Sequence, residues 1–157
     1  MEVLTKILTV VFAFFFMEFT AWFTHKFIMH GFLWFLHEDH HVQKRGFFEK
    51  NDAFFLIFAI PSWLLIMFGA MNGFDLKFYF GIGILLYGIA YFLVHEVLIH
   101  RRLKKLRKYL FSNLQNKYYF KVLQRAHHSH HKHIQKEDGE SFGMLIVGKK
   151  YFDMVKK

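Results

Sequence analysis

"ILTVVFAFFFMEFTAWFTHKFIMHGFLWFLHEDHH", residues 7–41, joins two patterns. Residues 7–24 are apolar apart from the single charge on Glu18 and a few threonines. Residues 25–41 then carry five histidines: His25, His30, His37, His40 and His41. An α-helix needs about 20 apolar residues to cross the hydrocarbon core, with a range of about 17–25. The first pattern therefore predicts a transmembrane helix. No small-residue cleavage site follows it, because "TAWFTHKF" is bulky, so it reads as a retained span rather than a signal peptide.

Two further stretches read the same way. "AFFLIFAIPSWLLIMFGAM" (53–71) and "FYFGIGILLYGIAYFLV" (78–94) carry no charge, and the short "NGFDLK" (72–77) joins them as a hairpin. The whole chain is 54% hydrophobic and 21% aromatic, with 23 Phe, too apolar for a soluble domain of 157 residues. The expectation is an all-α integral membrane protein with three transmembrane helices, four at most. Residues 1–157 form a single domain in this reading, and a helical cap carries the histidines.

Three spans place 25–52 and 95–157 on one side of the membrane. Of the 21 Lys and Arg, only Lys6 and Lys77 fall on the other side. The positive-inside rule makes the histidine side cytoplasmic, which predicts a multi-pass protein of the bacterial inner membrane. The net charge of +9 and "RRLKKLRK" (101–108) read first as topology signals and contacts to anionic headgroups. A docking patch for an acidic protein is compatible with this. Nucleic acid is not an expected partner, because the chain is apolar rather than a basic soluble module.

The histidines recur in an ordered way. His25 and His30 form H-x4-H, and His37, His40 and His41 form H-x2-H-H. After the hairpin, His95 and His100 repeat the pair, and His127, His130 and His131 repeat the triplet. The topology brings all four groups to one membrane surface. Helical positions 0, 3 and 4 lie within about 100° of one another, so each triplet is expected to aim three imidazoles at one place. Positions 0 and 5 lie about 140° apart on an ideal helix. The pairs must therefore serve two different ions, or sit where a helix ends or bulges.

Ten imidazoles exceed the needs of one ion; two ions with roughly five each, or four plus water, fit the count. The chain has no cysteine, so its metal ligands come from His, Asp or Glu. A structural zinc site closes with four ligands, and the pair of Glu-x-x-His motifs that soluble di-iron bundles use is missing. An all-histidine, two-metal site beside a bilayer points to oxygen chemistry on a lipid, with iron as the redox-active metal. In "AHHSHHKH" (126–133), helical phase selects His127, His130 and His131, and leaves His128 and His133 as passengers or outer neighbours.

At these four groups the sequence resembles the bacterial beta-carotene hydroxylases, within the fatty acid hydroxylase and sterol desaturase group of membrane di-iron enzymes. "HKFIMHGFLWFLHEDHH", "GFFEKND" (46–52), "FLVHEVLIHRR", "QRAHHSHH" and "SFGML" (141–145) carry the resemblance, from about residue 20 to 147. It implies an O2-dependent non-haem di-iron oxygenase of carotenoid biosynthesis. The enzyme would place OH on C3 of a beta-ionone ring, converting beta-carotene through cryptoxanthin to zeaxanthin. Two iron ions, cycling between Fe2+ and Fe3+, are implied, with electrons from a ferredoxin-type donor. The implied ligands are His25, His30, His37, His40, His41, His95, His100, His127, His130 and His131.

The residues add further expectations. No side chain can deprotonate a saturated ring carbon, so the metals must activate O2. The clusters "FAFFF" and "FYF" can line a slot for the polyene, although aromatics in spans more often face lipid. Glu18 sits within a span, where an acid is costly, and lies within about 20° of the helix face of His25. It is a candidate to support a ligand, to touch the pocket, or to pair as a structural acid with Trp or Tyr. Asp39, Asp52 and Glu96 are further candidates to support ligands. The competing functions are hydroxylation or desaturation of a fatty acid or sterol by the same centre, and metal transport. Transport is disfavoured because its ligands belong near the midplane rather than at span ends.

Overall fold

The computed structural model describes residues 1–42, 48–133 and 136–156. Gly46 and Phe47 of "GFFEKND" lie outside them. Among the described residues the chain is helical, with no strand. Three helical stretches, Glu2–Phe32, Lys50–Met71 and Leu76–Ile99, are long and apolar enough to cross a membrane.

Their α-helical parts are α1 (Glu2–Phe23), α3 (Ala53–Met71) and α4 (Leu76–Tyr91). Between them on the chain lies the short α2 (Trp34–His41). Helix α4 sits in the middle and packs against both other spans. Two glycines on α4 allow the close approach. A Cβ at Gly83 would lie 2.5 Å from Ala13 Cβ on α1, and one at Gly81 would lie 2.8 Å from Ile66 on α3. Lipid gives helices no hydrophobic drive to associate, so small residues that let backbones meet define the interface. On α3, Ser62 donates its hydroxyl proton to the Gly81 carbonyl at 2.9 Å across the same contact. Tyr87, Ile84 and Met17 form the small core between α1 and α4.

The aromatics of α1 follow the lipid-facing reading. Phe12, Phe15 and Phe16 are exposed on the outer surface. Only Phe14 turns inward, edge-on to Tyr87.

The first and third spans change geometry where the histidines begin. Helix α1 passes into a π-helical segment, Thr24–Phe32, and α4 into another, Phe92–Ile99. Their i→i+5 hydrogen bonds include His100 N–H to His95 O at 2.9 Å and Leu33 N–H to Ile28 O at 3.0 Å. The first segment breaks at Gly31 (φ −105°, ψ −125°), and α2 starts a new direction there.

The cap is completed by α5 (Lys104–Phe111), α6 (Tyr118–His131) and α7 (Lys149–Lys156). Val97 and Leu98 pack on Phe111, Val94 packs on Leu123 and Met144, and Val122 and Ala126 pack on Tyr151. These apolar contacts fix α6 beside the end of the third span, and so fix the last triplet beside the second pair.

Candidate metal centre

The π-helical segments explain the pair spacing. An i→i+5 turn brings residues five apart onto one face, as an α-helix does for residues four apart. His25 and His30 therefore project to the same place, and so do His95 and His100. Of the alternatives open for the pairs, the bulged helix holds, and the two members of a pair do not separate.

The ten histidines gather into two adjoining clusters. In the first, His25, His30, His37, His41 and His130 each offer a ring nitrogen, all within 4.8 Å of one another. In the second, His40, His100, His127 and His131 do the same. The His95 ring joins the second, with centroids 4.8, 4.5 and 4.6 Å from those of His40, His100 and His127.

This arrangement corrects the expectation that each triplet aims at one place. His37 and His41 enter the first cluster while His40 enters the second; His127 and His131 enter the second while His130 enters the first. The reason lies in helical phase. Positions i and i+4 differ by about 40°, whereas i+3 lies about 60° to the other side of i. Two clusters side by side can exploit that divergence, and each triplet bridges them.

The nitrogen geometry suits metal ions. Nε2 of His37 lies 3.0 Å from that of His25 and 3.1 Å from that of His41, and His41 and His130 are 3.1 Å apart. In the second cluster Nε2 of His100 and His127 are 2.8 Å apart. Two imidazole nitrogens each about 2.1 Å from one ion are about 3.0 Å apart at a right angle and about 3.4 Å apart in a tetrahedron. Buried Nε2 atoms of His30, His40 and His131 have no hydrogen-bond partner. Lone pairs so placed match the donor set of a bound cation.

Burial holds these rings neutral, as ligation requires. It pushes His41 down to about 4, His100 to about 3, and His37, His130 and His131 to about 2. His40 and His127 are also held well below the usual imidazole range by burial, then by neighbouring histidines.

The outer ring nitrogens are held in turn. Nδ1 of His25, His30, His41 and His130 donates to the carbonyls of Phe142, Lys136, His133 and Glu140, at 2.9–3.1 Å. His37 donates to Asn51 Oδ1 at 2.7 Å, His40 to Glu49 at 3.0 Å and His95 to Glu96 at 2.6 Å. Such contacts fix tautomer and ring orientation at metal sites.

The four acids take different places. Glu96 reaches His95 directly, and Arg102 binds its other oxygen at 2.7 Å. Asp52 accepts from Arg102 and from the Glu49 N–H, and Asp39 accepts from the Lys50 N–H. Asp39 and Asp52 thus touch no ligand ring but shape the turn that presents Glu49 and Asn51. Glu18 touches no ligand either. Its Oε1 accepts the N–H groups of Met144, Leu145 and Ile146 at 2.8–3.1 Å, and its Oε2 accepts the Tyr87 hydroxyl at 2.8 Å. It clamps the segment whose carbonyls hold His25 and His130. His128 is exposed, and His133 acts at the centre through its backbone oxygen.

Sequence reasoning missed Glu49, Asn51, Arg102 and the loop carbonyls. "EKND" falls within the linking segment already singled out, which was the available signal for the first two. Backbone acceptors leave no signal in side-chain patterns.

A cavity of about 1330 Å³ lies beside the clusters, between α1, α3 and α4. Phe54, Phe58, Trp63, Ile84 and Met17 line it, and His25 and His127 border it. None of the "FAFFF" or "FYF" aromatics does among the described residues; helix α3 supplies the aromatic wall instead.

Comparison with known proteins finds relatives among the hydroxylases. The family model for fatty acid hydroxylase matches residues 10–153. A beta-carotene hydroxylase of Pseudescherichia vulneris is 39% identical over 133 residues, covering 85% of this chain and 72% of the relative. One from Pantoea ananas is 40% identical, covering 83% and 71%. One from Paracoccus sp. (strain PC1) is 33% identical, covering 92% and 85%. No solved structure matches.

Proposed function

The chain belongs to the fatty acid hydroxylase family, and we propose that it hydroxylates the rings of beta-carotene. Bacterial relatives named for that activity align over more than four fifths of it. Hydroxylation at C3 of one ring gives cryptoxanthin, and of both rings gives zeaxanthin. The observation that carries this reading is the cavity. It is apolar, larger than the roughly 300–1,000 Å³ of ordinary small-ligand sites, and it borders one histidine from each cluster. A long polyene can lie between the spans with one ring at the histidines, and need not enter water.

The ten clustered histidines would hold two iron ions, His25, His30, His37, His41 and His130 one, and His40, His95, His100, His127 and His131 the other. Bound iron supplies the activation of O2 that a saturated C–H bond demands. The balance is R–H + O2 + 2 e⁻ + 2 H⁺ → R–OH + H2O, so two electrons are required, and we assign their delivery to a donor of the ferredoxin type. The chain's own contribution is positional. Neutral imidazoles bind without adding negative charge, carbonyls and carboxylates orient them, and the α3 aromatics keep the ring dry. The basic residues at 101–108 support a cytoplasmic orientation of this end at the inner membrane.

The test is expression in bacteria that accumulate beta-carotene, followed by pigment analysis. Cryptoxanthin and zeaxanthin are expected. Unchanged beta-carotene in cells whose purified protein carries iron would overturn the substrate, leaving a fatty acid or sterol as the target. Metal uptake without oxygen consumption would favour transport.

A further inference from the structure

We propose that the two metal positions are chemically unequal, because carboxylates stand behind the second cluster and only neutral acceptors stand behind the first. The inference rests on the two-metal reading above. In the first cluster all five Nδ1–H groups donate to uncharged oxygens: the carbonyls of His133, Lys136, Glu140 and Phe142, and the amide of Asn51. In the second, His40 donates to Glu49 and His95 to Glu96. The contrast is not one of distance alone. His95 to Glu96 is 2.6 Å, shorter than any Nδ1 contact in the first cluster, as expected for a charge-assisted bond.

A carboxylate behind a histidine raises the basicity of the ligating nitrogen and fixes the ring. It also adds negative charge a few ångströms from a cation. Arg102 keeps this charge in place: its guanidinium bridges Glu96 to Asp52 at 2.7–2.9 Å. Asp52 in turn caps the turn at Glu49. The ionic network therefore links Glu49, the start of α3 and the end of the third span. No comparable network lies behind the first cluster among the described residues, where the C-terminal segment provides peptide carbonyls. The ion at the second position is held more tightly, and partial depletion empties the first position before the second. Glu49 and Glu96 are positioning residues, acting through His40 and His95.

The test is anaerobic titration of ferrous iron into the metal-stripped full chain in detergent, with iron content and Mössbauer spectra as readouts. Two irons are expected, binding in two phases, with two distinct spectral environments. Glu96→Gln weakens the tighter phase about 10–100-fold and leaves the looser phase in place. Asn51→Asp puts a carboxylate behind His37 and tightens the looser phase. Two irons of one affinity and one environment, or a Glu96→Gln effect confined to the looser phase, would overturn the inequality. If Glu96→Gln does not fold, the wild-type phases and Asn51→Asp decide the matter. Uptake of one iron or none fails the two-metal reading, and the inequality with it.

Discussion

The histidine pairs and the histidine triplets reach the same centre by different backbone geometry. Each pair lies on a π-helical end of a span and sends both rings to one cluster, His95 by its ring contacts with His40, His100 and His127. Each triplet lies on an α-helix of the cap and sends two rings to one cluster and the third across to the other. Pairs build a cluster, whereas triplets join the two. The bridging histidines, His40 and His130, are also among the most buried, with His130 fully enclosed. The difference teaches that membership is set by helical phase at each ring, not by the histidine group to which a residue belongs.

The most severe way to break this comparison is to remove a crossing histidine. His130→Ala is expected to lower hydroxylation more than about 100-fold and to lose iron from the first position, although its sequence neighbours serve the second. In the other triplet His41→Ala, whose ring stays with His37, should also lose iron from the first position, whereas the crossing His40→Ala should lose it from the second. Product yield and iron per chain check all three. Iron loss confined to the second position in His130→Ala would show that triplets act as units.

Next in size is Glu18→Ala. It would leave three backbone N–H groups and the Tyr87 hydroxyl without their acceptor. The segment carrying the Glu140 and Phe142 carbonyls would loosen behind His130 and His25. A loss of about tenfold in iron affinity is expected, at the first position only. A variant that keeps both irons and loses only carotene binding would assign Glu18 to the pocket instead.

These two cases show what the sequence could and could not reveal. Three spans were legible because apolar stretches of sufficient length with at most one charge have few other interpretations. The H-x4-H spacing was legible as an anomaly, since an α-helix cannot face residues five apart together, and the π-helical turns resolve it. The 2+1 division of the triplets was not legible. A spread of about 100° looks like one target when the number of targets on that side is unknown. Glu18 stood out as a costly acid, and its pairing with Tyr87 matches one of the readings offered for it, but its other partners are amides some 126–128 residues away in the chain, and no periodicity encodes them. The cavity wall was not legible for a related reason. Aromatic density marks lipid contact and pocket lining equally, and only the packing of α4 between α1 and α3 decides which faces turn inward.

A change of pH tests the burial of both groups together. An unfolded histidine titrates near about 6.5. In the fold, His41 is held down to about 4 and His130 and His131 to about 2, with burial the main cause. The folded pKa values are depressed, so the associated stability is complete above about 6.5. It declines as pH falls from there toward about 4 and then about 2, because the unfolded chain takes up protons that the fold refuses. Each such ring contributes a slope of about 1.4 kcal/mol per pH unit within its window. The thermal midpoint of metal-stripped protein is expected to drop between pH 7.5 and 5.5. A flat profile would mean that the rings are hydrated and protonate in place.

The smallest expected effect belongs to His133→Ala. His133 is the fifth histidine of "AHHSHHKH" and lies next to the last triplet, so composition alone would class it with the ligands. Its role at the centre runs through its carbonyl, which accepts Nδ1–H of His41 at 2.9 Å. Alanine keeps that carbonyl. Activity and iron content should remain within about twofold of the unaltered chain, because the accepting oxygen and the helix end that carries it are unchanged. Proline at the same position would remove the His133 N–H that donates to the His130 carbonyl at 3.2 Å, and with it part of the turn that aims the oxygen. The pair of variants thus separates side chain from backbone at one residue. A large loss in His133→Ala would make the imidazole itself a participant; a loss only in His133→Pro places the function in the peptide group.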